Sequence, residues 1–161
     1  MSPGEATARS VASRVPDPEL PTLTLEDLGV LRSVQVEPSG KVLVVLTPTY
    51  SGCPALEVMK RDVTDALFAA GFTDVQVDIE LQPAWSTESL GRQARQKLAQ
   101  AGIAPPPDRV AEALPLRLSL RCPSCGSVRT HEISRFGATA CKSLWRCLAC
   151  GEPFEHFKTH L

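Results

Sequence analysis

At 161 residues, 43% hydrophobic and 22% charged, the chain has room for one ordinary globular domain plus a small one, and no stretch reaches the roughly 20 apolar residues of a membrane span. Net charge is −1, yet residues 117–161 hold seven Lys or Arg against three Asp or Glu, so the C-terminal end is basic and the rest acidic. Eight aromatic residues give poor support to a nucleic-acid stacking platform, and the first twenty residues lack the apolar run of an export signal, so a cytoplasmic protein is expected.

Residues 1–14 are small and polar, with a weak helical stripe, and read as a flexible N-terminus. Val15-Pro16-Asp17-Pro18-Glu19-Leu20-Pro21 follows. Its prolines forbid a helix interior and hold the carboxylates of Asp17 and Glu19 in a stiff loop, which taken alone is a solvated turn. Leu25 to Gly29 suits a short helical turn. Residues 30–37 and 41–47, joined by Pro38-Ser39-Gly40, read as a β-hairpin whose second strand, carrying Val-Leu-Val-Val-Leu, is expected to be buried on both faces.

Thr47 to Pro54 leads into a helix with apolar Leu56, Met59, Val63, Leu67 and Ala70, stopped by Gly71. Pro54 suits the first helical position, which places Cys53 at the N-cap. There the positive helix end and its unpaired N–H groups favour thiolate over thiol, as in reactive or ligating cysteines. The alternative is a small buried hydrophobe; so particular a position favours a functional Cys53.

Val75, Val77 and Ile79 alternate with polar residues as a third strand. After Pro83, Ser86 can cap a helix bearing Leu90, Ala94, Leu98 and Ala101, with Trp85 and Leu90 as a hydrophobic staple and Gly102 as its stop. Residues 15–103 therefore read as an α+β domain, a small N-terminal sheet packed by helices. Residues 104–115, rich in proline, read as a linker.

In residues 116–161, strands are expected at 116–121, 128–133, 143–146 and 153–158, with a loop from Phe136 to Lys142. Between them stand Cys122-Pro-Ser-Cys125-Gly126 and Cys147-Leu-Ala-Cys150-Gly151. Each short pair can turn both sulfurs to one side, and four soft sulfurs in a tetrahedron suit zinc, with iron the main competitor. A disulfide framework needs an oxidising compartment, and a thioredoxin-like site would be a single pair opening a helix. With Cys122, Cys125, Cys147 and Cys150 filling all four positions, the metal holds a zinc-ribbon-like fold of about forty residues and leaves no place for a reacting water. Cys141 lies outside the tetrad, and burial, ligand exchange and a second functional thiol all remain open for it. His131, His156 and His160 read as surface or packing residues.

Asp17-Pro18-Glu19, Asp27-Leu28-Gly29-Val30, Ser51-Gly52-Cys53-Pro54 before a helix and Pro83-Ala84-Trp85 after a strand together resemble the SufT-like iron–sulfur assembly domain. Gly102-Ile103-Ala104-Pro105-Pro106, the cysteine ribbon, Phe136-Gly-Ala-Thr-Ala-Cys141-Lys, Glu152-Pro-Phe and Phe157-Lys158 extend the resemblance to the PaaD family, accessory to the phenylacetyl-CoA epoxidase of phenylacetate catabolism. The resemblance implies a maturation role toward the oxygenase and reductase components. It also implies transient iron or an iron–sulfur cluster on Cys53, with Asp17 and Glu19 nearby as hard ligands or modulators. Where that family often carries a further Cys after Phe-Lys, this chain has Thr159, beside His160.

Three functions follow: a metallocluster maturation factor, a non-catalytic adaptor subunit of the monooxygenase, and a nucleic-acid-binding zinc ribbon resting on the basic excess alone. Catalysis of the epoxidation itself finds no support. The chain has no paired Glu-x-x-His helices, no Gly-rich dinucleotide loop and no nucleophile with an evident His partner.

Overall fold

Valine alternation and a Gly40 turn in the left-handed region, at φ 89°, set up the antiparallel hairpin of Leu31–Val36 (β1) and Val42–Leu46 (β2). Val34 faces Val44 and Val36 faces Val42, with a bulge between Leu31 and Ser33. The computed structural model describes residues 3–107 and 120–159 and divides into two compact units, 1–91 and 92–161.

In the first unit, Leu56–Ala69 (α2) carries the chain from β2 to a parallel third strand, Val75–Ile79 (β3), giving the sheet order β1-β2-β3. Met59, Val63 and Leu67, one helical face at i, i+4 and i+8, are buried, and α2 packs against β3. Burying each such side chain contributes roughly 1.5–3 kcal/mol. Central strand β2 differs from the sequence expectation: Val42, Val44 and Leu46 are buried, whereas Leu43 and Val45 on the other face are half-buried.

The N-terminus also differs. Instead of a flexible segment, Pro3–Ala12 forms helix α1, which packs on β1 and α2. Ala8 and Ala12 are fully buried, and Arg9 pairs with Glu26 at 2.9 Å. A stripe of methyl groups is weak in hydrophobicity but lets a helix lie close to its neighbours.

Thr24 and Asp27 cap the short turn before β1 reciprocally: the Thr24 amide donates to Asp27 Oδ2 at 2.9 Å and the Asp27 amide to Thr24 Oγ1 at 3.1 Å. The single helix expected from Ser86 is broken. Thr87–Ser89 is a 3₁₀ turn, Leu90 is extended at φ −75° and ψ 106°, and a separate helix, Arg92–Gln100 (α3), begins after Gly91. Buried Trp85, Thr87 and Leu90 belong to the first unit and buried Ala94 and Leu98 to the second, so one continuous stripe does not serve both.

The second unit holds a four-stranded sheet in the order β4-β7-β6-β5, built from Ile103–Ala104 (β4), Thr130–Ser134 (β5), Lys142–Cys147 (β6) and Pro153–Phe157 (β7). β4 runs parallel to β7, and the other pairings are antiparallel. Ala104, Leu120, Cys122, Cys147 and Phe154 form its core, with Trp145 packed against them. Most of the expected linker, most of the strand expected at 116–121, and His160 lie outside the described residues; Leu120 and Arg121 are not in a strand. Among the described residues no helix is long and apolar enough to cross a membrane.

Candidate metal centre

The hexapeptide Arg-Cys-x-x-Cys-Gly occurs twice, at 121–126 and 146–151, and both copies fold alike. In the first, the Cys122 amide donates to Ser127 O at 2.9 Å and the Gly126 amide to Cys122 O at 2.8 Å. In the second, Cys147 and Gly151 repeat this with Glu152 O at 2.9 Å and Cys147 O at 3.0 Å. Gly126 and Gly151 turn back at φ 74° and 81°, a region that L side chains rarely adopt. The Arg that opens each copy latches the Gly that closes it: Arg121 Nη1 donates to Gly126 O at 3.3 Å and Arg146 Nε to Gly151 O at 3.1 Å.

The four sulfurs lie within 4.8 Å of one another, with Cys122 to Cys150 at 3.8 Å and Cys125 to Cys147 at 3.6 Å. A tetrahedron with Zn–S bonds of about 2.3 Å has edges of ~3.8 Å, so the observed spacing fits zinc. Backbone amides of Cys150 and Ala149 aimed at the Cys147 sulfur hold its thiol down to about 6, against burial. For Cys150 the Glu152 amide acts in the same lowering sense, but burial and the neighbouring sulfurs, Cys147 first, outweigh it and push the thiol up to about 12. A divalent ion draws all four to thiolate and removes this mutual repulsion. Cys122 and Cys147 are buried, while Cys125 and Cys150 are exposed.

Among the described residues this tetrad is the cluster of three or more ligating side chains within reach of one ion; Asp17, Glu19 and Cys53 do not form a second. Cys53 sits half-buried in the turn ahead of α2, not at its cap: Ala55 caps the helix, without a side-chain bond. The Cys53 amide donates to Tyr50 O at 3.1 Å, and Cys53 O accepts from the Leu56 amide at 3.4 Å. Cys53, Pro54 and Ala55 thus form one tight turn before the first α-helical residue. Asp17 is buried, and its Oδ1 accepts from the amides of Glu19 and Leu20, both at 2.8 Å. The carboxylate thereby holds the proline-bounded turn that the sequence suggested was solvated. Glu19 is half-buried.

Cys141 is buried, its sulfur 3.1 Å from Thr139 Oγ1. His131 is exposed on β5, and His156 is buried on β7. The two arginine latches were missed in the sequence, although the repeated hexapeptide, with Arg at its head, was the signal for them.

Residues 106–158 match the family described as PaaD zinc beta ribbon domain, and residues 5–79 match that described as iron–sulfur cluster assembly protein. An Escherichia coli (strain K12) protein named as one of the subunits of 1,2-phenylacetyl-CoA epoxidase is 47% identical over 92% of this chain and 89% of its own length. A Porphyromonas gingivalis Fe-S protein maturation auxiliary factor is 32% identical over 51% of this chain and 78% of its own. Among solved structures, a domain of unknown function, DUF59, from Bacillus anthracis is similar at a TM-score of 0.55 and 26% identity, covering 59% of this chain and 91% of that one. With an assembly-type α+β unit, a four-cysteine ribbon and a relative matched along nearly its whole length, the chain belongs to the PaaD family of phenylacetyl-CoA epoxidase subunits.

Proposed function

We propose that the chain is a maturation factor that supplies iron or an iron–sulfur cluster to the phenylacetyl-CoA epoxidase. Cys53 carries the cargo in passing, and the zinc ribbon docks on the oxygenase or reductase component. The observation that carries this reading is a half-buried cysteine in a tight turn before a helix whose N-cap, Ala55, makes no side-chain bond, within a unit that matches iron–sulfur assembly proteins. On meeting iron the thiol releases its proton to solvent and forms one Fe–S bond, and it gives up that bond when a ligand of the client replaces it, with no net redox change. In this reading Asp17 shapes the loop, and Glu19, which the family resemblance pairs with Cys53, supplies a hard oxygen donor once cargo is bound. One relative's name, a maturation auxiliary factor, supports the role, and the name of the epoxidase component supports the client.

The test is anaerobic purification of wild type and Cys53→Ser with iron and sulfide analysis, alongside the metal content of epoxidase components from cells carrying each. Labile iron in the wild type, lost with Cys53→Ser while zinc stays, together with under-loaded client, is expected. Full client loading by Cys53→Ser overturns the reading. The naming of the Escherichia coli relative as an epoxidase component favours a second reading, a structural adaptor. That one predicts co-purification at fixed stoichiometry with the active oxygenase, unchanged by Cys53→Ser.

A further inference from the structure

Strand register puts Ser143 of β6 directly opposite His156 of β7. Trp145 Nε1 donates to Ser143 Oγ at 2.9 Å, and Ser143 Oγ lies 3.3 Å from His156 Nδ1. An indole N–H can donate and never accept, so the serine oxygen accepts from Trp145; its remaining lone pair and its own proton let it meet Nδ1 either as acceptor or as donor. Where the serine donates to Nδ1, the imidazole proton stands on Nε2, the tautomer that the site below uses. That Nε2 is buried with no hydrogen-bond partner among the described residues.

The same imidazole forms part of the wall of a cavity of about 410 Å³. Arg135, Lys158, the rings of Phe136 and Trp145, and the carboxylate of Glu132 also line it. Arg135 is exposed and in no ion pair among the described residues. The Lys158 ammonium rests 4.4 Å above the Phe136 ring and donates to Ala140 O at 2.8 Å, while Phe136 itself is 69% exposed.

We infer that this cavity is a binding site for a carboxylate carried on an apolar or aromatic group. Arg135 and Lys158 supply charge, Trp145 and Phe136 supply apolar walls, and the His156 Nε2–H supplies a directed donor. A carboxylate entering the cavity competes with the Phe136 ring for the Lys158 ammonium. Nε2 is closed to solvent, so a ligand reaches it only when a wall side chain moves, and Phe136, 69% exposed, is the wall ring with least packing to hold it. None of these side chains belongs to the tetrad or to the Cys53 turn, so the site stands or falls independently of the maturation role.

The test uses full-length, zinc-loaded protein with ¹⁵N-labelled histidine, following the His156 ring nitrogens by NMR with exposed His131 as internal control. The probes are sodium benzoate, benzamide as its neutral match, and acetyl-Gly-Phe with a free or an amidated C-terminus. A saturable shift of His156 with benzoate and not benzamide identifies a small carboxylic acid as ligand. A shift with the free-carboxylate peptide alone identifies a polypeptide C-terminus. Arg135→Ala and Lys158→Met are each expected to weaken binding about tenfold, the loss of one charge-assisted bond. Absence of a saturable His156 shift with every probe, or unchanged affinity in surface-located Arg135→Ala, overturns the site.

Discussion

The Trp85 indole donates to the Leu28 carbonyl oxygen at 2.8 Å, a bond that closes 57 residues of chain and joins the turn before β1 to the segment after β3. Gly29, next along, has φ 67°, and a Cβ there would lie 2.5 Å from Ser89 Cβ and 3.0 Å from Ser89 O. Gly29→Ala therefore combines left-handed strain with a clash against the 3₁₀ turn, and is expected to cost about 2 kcal/mol or more. Gly40→Ala, at φ 89° in open space, should cost about 1 kcal/mol, from the backbone alone. Urea denaturation of the two variants checks the difference.

Asp17 offers a way to separate turn-holding from ligation. Asp17→Ala removes the carboxylate acceptor of the Glu19 and Leu20 amides, of which Leu20 keeps its 3.3 Å bond to the residue 17 carbonyl, and should lower stability by about 1–2 kcal/mol. Asp17→Asn keeps an acceptor oxygen and should fold nearly as well. If Asp17→Asn nevertheless loses iron in the anaerobic assay, the carboxylate charge acts on cargo as well as on the loop.

Removing the metal should unfold the ribbon selectively. A structural zinc contributes about 10–16 kcal/mol to such folds, far more than the small core around Leu120 and Phe154 can supply. Cys147→Ser, or chelation, is expected to erase the amide dispersion of β5 to β7 in NMR spectra while signals from β1 to β3 persist. Retention of the ribbon pattern without zinc would show that the tetrad is not what holds it.

Burial holds the His156 imidazole down to about 4, below its ordinary 6.5. Because the folded value is depressed for a base, the unfolded chain takes up this proton first as pH falls. Stability from the neutral ring is complete above pH 6.5 and is lost progressively down to about 4, by about 3 kcal/mol in total. Arg135, Lys158 and Glu132 line the same cavity and are unchanged by His156→Gln. Thiolate protonation also releases zinc in acid, so the comparison is wild type against His156→Gln at monitored zinc content. A flatter dependence between pH 6.5 and 4 is expected for His156→Gln; parallel curves would assign the loss to the metal centre.

Period-two alternation made the β1–β2 hairpin and β3 legible, and spacing alone made the tetrad legible, because both depend on neighbours close in sequence. Helix α1 was hidden by composition: Ala8 and Ala12 pack by being small, which hydrophobicity scarcely registers. The first turn of α2 was misplaced because Pro54 satisfies the rules for a helix start as well as those for the preceding turn. The Trp145–Ser143–His156 relay could not be read at all, since it exists only once β6 and β7 settle into one register. Asp17 was legible as a motif residue, but its partners, the amides of Glu19 and Leu20, required the loop to be folded.

Two residues of β4, Ile103 and Ala104, align alongside Glu155 and His156 of β7 and are buried there. Cutting the chain at the proline run to isolate the cysteine-rich piece would strip that border and bare a row of main-chain amides and carbonyls, an invitation to sticky self-association. A usable C-terminal fragment therefore begins upstream of Arg92, taking α3 along with the ribbon.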